Sequence, residues 1–78
     1  MIEVTLYGDV KKIVVENNPE AKSIMLCEYI EGENFQDFLH RLGLNLEVVG
    51  DCYINNSIVA PDYVLQDRDT VELNQRTN

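Results

Sequence analysis

One stretch, EGENFQDFLHRLG, commits the chain to a helix, while most of what surrounds it reads as short strand. Phe35, Phe38, Leu39 and Leu42 recur at i, i+3, i+4 and i+7, which gathers four apolar side chains on one helical face. Asn34 stands at the N-cap position and Gly43 at the stop. A helix of roughly ten residues must bury that stripe against another layer, and the flanking segments supply a sheet.

MIEVTLYG alternates, with Ile2, Val4 and Leu6 on one face and Glu3, Thr5 and Tyr7 on the other, closed by Gly8-Asp9. DVKKIVVENNPEAK is ambiguous between helical spacing at Val10, Ile13 and Val14 and a strand KKIVVE ahead of Asn17-Asn18-Pro19. It is read as a long connection with a possible helical turn. SIMLCEYIEG is a second strand, and its even set, Ile24, Leu26 and Ile30 with Glu28, is taken as the core side. DCYINNSIVAP reads as two short strands joined at Asn55-Asn56, residues that tolerate the positive φ of a tight hairpin. After a turn-rich PDYVLQDRD, in which Leu65 is expected in the core, DTVEL is the last strand with Val71 and Leu73 inward. The result is a compact α+β domain. The helix serves as the crossover that lets the last strand lie parallel to the first at the centre of the sheet.

At 78 residues the chain is expected to form a single domain, 1–78, with 74–78 as a flexible C-terminal tail. Apolar residues make up 45% and charged residues 26%, a globular composition rather than a disordered one. Six Lys and Arg against fourteen Asp and Glu give a net charge of −8, which argues against nucleic acid; a basic groove on a protein partner would suit it, and the competing reading is that the charge keeps a small protein soluble. No basic leader, long apolar run or CxxC pair is present, so membrane insertion and export are not expected. A reducing cytoplasm suits Cys27 and Cys52.

The second half, LGLNLEVVGDCYINNSIVAPDYVLQDRDTVEL, together with the opening VTLYGDVKKIV and the helix EGENFQDFLHRLGL, resembles the ThiS and MoaD family of small sulfur carriers. That resemblance implies a ubiquitin-like β-grasp: a mixed four- to five-stranded sheet with one main helix packed on one face. CYINNSIVAPDYVLQDRDTVEL is similar to the family's hydrophobic-Asn-Gly hairpin followed by Leu-x-Asp-Gly-Asp-x-Val, with Asn56 and Arg68 at the two glycine positions. Family carriers finish in a Gly-Gly whose carboxylate becomes a thiocarboxylate. Here the corresponding residues are Asn74, Gln75, Arg76, Thr77 and Asn78, and the last glycine is Gly50. Side chains there would obstruct the narrow channel that glycines pass. With that departure the expectation is a protein-binding or regulatory module without catalysis, and the resemblance implies an activating-enzyme-like or synthase-like partner if carrier descent holds. Sulfur carriage for thiamine, molybdopterin or tRNA thiolation is the alternative.

If Ile2, Val4 and Leu6 face the helix, the opposite face is expected to carry Thr5, Tyr7, Met25, Cys27, Tyr29, Tyr53, Thr70 and Glu72. Tyr and Met give contact area suited to interfaces, which makes Met25, Cys27, Tyr29, Tyr53 and Tyr7 the candidate partner surface. The competing expectation is that the connection from Val10 to Lys22 covers that face. Cys27 lacks a neighbouring His or Lys to activate it, His40 belongs to the solvated side of the helix, and two cysteines cannot hold an iron–sulfur cluster. DRDTVE looks like a cation loop but lacks its central glycine and alternating ligands. No catalytic residue, metal or cofactor is expected, and the protein is expected to be a monomer on its own.

Overall fold

The computed structural model describes residues 1–17, 19–20 and 22–75. The elements are β1 (Ile2–Leu6), α1 (Gly8–Asn17), β2 (Ile24–Cys27), α2 (Phe35–Arg41), β3 (Val49–Ile54), β4 (Ser57–Ile58) and β5 (Thr70–Gln75). The strands form one sheet in the order β2-β1-β5-β3-β4. Central β1 and β5 are parallel and the other pairings are antiparallel. A parallel central pair requires a crossover, and α2 lies within it.

Register builds the core directly. Val4 lies opposite Val71 and Leu6 opposite Leu73, so four apolar side chains stack on one face, and Cys52 and Ile54 of β3 extend the layer. Phe35, Phe38 and Leu39 of α2 close over it, joined by Leu44 and Leu65. Fully burying a side chain such as Phe38 or Leu39 contributes roughly 2–3 kcal/mol. The ends of α2 are also satisfied. The Asn34 side chain accepts from the Asp37 amide at 2.8 Å, and the carbonyls of Tyr63 and Pro61 accept from the amides of Phe35 and Gln36. Gly43, at φ 80°, supplies the left-handed residue that ends the helix.

Three local expectations change. Gly8–Asn17 is a full helix rather than a connection with one turn. As a strand it would set Lys12 on the same face as Val10 and Val14; as a helix it buries both valines and leaves Lys12 exposed, paired with Asp9 at 3.3 Å. The second change is that β2 is turned over. Met25 lies opposite Val4 and Cys27 opposite Ile2, so the odd residues share the core face. Met25, Cys27 and Tyr29 pack half-buried against the core, whereas Ile24 and Leu26, expected inside, are 62% and 65% exposed. Ile30, of the same expected core set, is also exposed.

β5 runs to Gln75, which lies opposite Val49, so Asn74 and Gln75 belong to the strand and not to a tail. Arg76, Thr77 and Asn78 fall outside the described residues.

Asn55 and Asn56, at φ 53° and 67°, make the tight turn between β3 and β4. That turn is tied to the last loop by Asp69, the one buried charged residue among those described. Its Oδ1 accepts from Asn55 Nδ2 at 2.8 Å, and its Oδ2 accepts from the Tyr63 hydroxyl at 3.0 Å and the Gln66 amide at 2.9 Å. Asn55 Oδ1 in turn accepts from the Thr70 amide at 3.0 Å. The network fixes β3 against β5, and with them the positions of Tyr53 and Glu72.

Candidate partner-binding face

Both helices lie on the core side of the sheet: Val10 and Val14 of α1 are in the same buried cluster as Phe38 and Leu39 of α2. The α1 part of the Val10 to Lys22 connection therefore packs on the core side and not over the opposite face. Successive registers trace one row across all five strands of the open face. Ile24 lies opposite Thr5, Thr5 opposite Glu72, Glu72 opposite Tyr53, and Tyr53 opposite Ile58. Four strand spacings make this row about 19 Å long. A second row begins Leu26, Glu3, Thr70.

The row ends are apolar and open to solvent, Ile24 on one edge strand and Ile58, 70% exposed, on the other. Between them Tyr7, Tyr53, Glu72 and Asn74 line a shallow depression of about 160 Å³. The Tyr7 hydroxyl is 3.5 Å from Glu72 Oε2, at the outer limit for a hydrogen bond. None of the five strands contains a lysine or arginine, so the charged side chains of these two rows are Glu3 and Glu72. Scattered exposed apolar residues are ordinary, but several set on one acidic sheet face form a surface suited to association.

Of the five residues expected to make that surface, the structure brings together Tyr7 and Tyr53 and removes Met25, Cys27 and Tyr29 to the core side. Ile24, Leu26 and Ile58 take their place. The signal that could have revealed the inversion is Glu28: it shares the even set with Ile24 and Leu26, and a charge without a partner belongs to the exposed face.

Cys27 is half-buried, and burial pushes its thiol up, with Arg41 pulling the other way. Arg41, beside it, was not singled out by pattern. Its guanidinium donates to the Glu28 carbonyl at 2.8 Å and pairs with Glu33 at 2.9 Å over the Phe38 ring, fastening the segment after β2 to α2. His40 is exposed on α2. Asp67 bonds the amino group of Met1, which holds its carboxyl below the usual range, while Asp69 is already filled by three donors. Among the described residues no group of three or more His, Cys, Asp or Glu side chains is placed to hold a metal ion. No helix among them is long and apolar enough to cross a membrane.

No protein-family model and no curated protein sequence matches the chain. A solved structure does. The protein from Pyrococcus furiosus assigned as molybdopterin converting factor, subunit 1, superposes with a TM-score of 0.73 over 97% of each chain, at 17% identity. The fold is the β-grasp. In this β-grasp the parallel pair β1 and β5 occupies the centre, as the crossover argument required, and the likeness extends to the architecture alone at that identity.

Proposed function

We propose that this β-grasp chain is a non-catalytic protein-binding module whose contact surface is the open face of the sheet. The observation that carries the reading is the row Ile24, Thr5, Glu72, Tyr53, Ile58, apolar at both edges, acidic and aromatic between, and lying on strands without a basic residue. The complementary partner is a protein whose surface offers apolar residues flanked by Lys or Arg. Opposite fields speed such an encounter, and the net charge of −8 adds to the attraction.

The test is a triple variant, Ile24→Ser, Leu26→Ser and Ile58→Ser, compared with the native chain as bait in an extract of the source cells. The native chain is expected to retain a basic protein that the variant loses while keeping the native NMR fingerprint. Equal retention by both would refute the reading.

A second reading is favoured by the likeness in fold to a molybdopterin converting factor subunit. Under it the chain would itself be a sulfur carrier. The five residues after Leu73 contain no glycine, which weighs against threading that stretch through a narrow channel. Incubation with a carrier-activating enzyme, ATP and a sulfur donor, followed by intact mass, decides it: replacement of one carboxylate oxygen by sulfur would establish carriage.

A further inference from the structure

The depression between Tyr7, Tyr53, Glu72 and Asn74 has a more specific chemistry than the face around it. Glu72 is half-buried on β5, so water screens its charge incompletely, and its contact with the Tyr7 hydroxyl is long at 3.5 Å. Among the described residues it has no cationic partner, since the ion pairs formed are Met1 with Asp67, Lys12 with Asp9 and Arg41 with Glu33. Two phenol rings beside a partly desolvated carboxylate form a receptor for a cation. The ring faces attract positive charge and the carboxylate pairs with it. A guanidinium fits better than an ammonium, because its plane can stack on a tyrosine while its edge forks onto the carboxylate.

We propose that this pocket receives a single arginine side chain of the partner, an inference that rests on the open face being the protein-binding surface. The pocket also fixes where that arginine enters, at the ends of β1 and β5 beside Asn74.

The experiment is an NMR titration of the full chain with Nα-acetyl-L-arginine N-methylamide, alongside its citrulline and lysine counterparts. Arginine is expected to shift the amides of Tyr7, Tyr53, Glu72 and Asn74, with weaker response to lysine and none to citrulline. Glu72→Gln should weaken binding by about threefold or more, the scale of one partly exposed ion pair. Equal response to citrulline, tighter binding of lysine, an unchanged affinity in Glu72→Gln, or shifts spread over distant acids such as Asp9 and Asp62 would each overturn the assignment. Because no partner is present, the two readings fail separately. Loss of the arginine response with partner capture intact refutes the pocket, whereas an intact arginine response with capture unaffected by the triple variant refutes the face.

Discussion

Replacing Asp69 by alanine should be among the most damaging single changes in the chain. The carboxylate is 5% exposed and accepts three hydrogen bonds, from Asn55 Nδ2, the Tyr63 hydroxyl and the Gln66 amide. Hydrogen bonds to a charged acceptor contribute roughly 1.5–3 kcal/mol each, and their sum overstates the loss because they share one group. Asn55 and Gln66 are exposed and Tyr63 is half-buried, so part of the lost bonding is recovered from water. The expected cost is about 3–4 kcal/mol for Asp69→Ala and about 2 kcal/mol for Asp69→Asn, which keeps one acceptor oxygen. A chain of this size has a total stability of roughly 4–12 kcal/mol, so the alanine variant should be near the edge of folding. Urea denaturation followed by circular dichroism would show it as a midpoint shift of about 2–3 M. Tyr63→Phe removes a single donor, and a double-mutant cycle with Asp69→Ala should give a coupling of about 1 kcal/mol or more. A loss below about 1 kcal/mol for Asp69→Ala, or additive effects of the two changes, would refute the network's role.

The same pair makes a pH prediction. Burial and the bond to Asp69 push the Tyr63 phenol up, so the folded state holds that proton after the unfolded chain has released it. The advantage of the native chain over Tyr63→Phe should thus be constant below the ordinary tyrosine pKa of about 10 and shrink as pH rises beyond it, read from urea midpoints of both proteins. Arg68 is held at φ 73°, where a side chain is strained, so Arg68→Gly should stabilise by about 0.5 kcal/mol after the added freedom of the unfolded chain is offset; Asn56→Gly should change stability less, because asparagine tolerates its φ of 67°. Met25→Ser should cost about 1.5 kcal/mol or more and Leu26→Ser well under 1 kcal/mol, the reverse of what hydrophobicity alone suggests; equal costs would contradict the orientation of β2.

Much of this architecture was legible from the residues. The alternation of Ile2, Val4 and Leu6, the helical stripe from Phe35 to Leu42, and the Asn55-Asn56 turn each encode their element locally, and the requirement for a crossover places β1 beside β5. What escaped was set by tertiary register. KKIVVE has β-branched residues that favour a strand, and the burial of Val10 and Val14 against the sheet settles it as a helix. β2 is apolar on both faces, so its side was decided by pairing Met25 with Val4, a long-range fact with only Glu28 as a local trace. The candidate face inherited that ambiguity. Tyr7 and Tyr53 are readable as open-face residues because β1 and β3 alternate cleanly, while Ile24, Leu26 and Ile58 are not, since exposure of an apolar side chain cannot be read from its identity. Nothing local sets Asp69 apart from the other acids of DRDTVE, because its three donors come from Asn55, Tyr63 and Gln66, two of them in the same loop and one from the hairpin.

The central claim, that the open face of the sheet meets a protein partner, is tested most directly by placing a photo-crosslinking amino acid at single positions of the full chain in cells of the source organism. The account predicts that Leu26 and Ile58 positions yield the same cross-linked protein, and that the exposed His40 position on α2 does not. Cross-linking of that protein from His40, with none from Leu26 or Ile58, would contradict it.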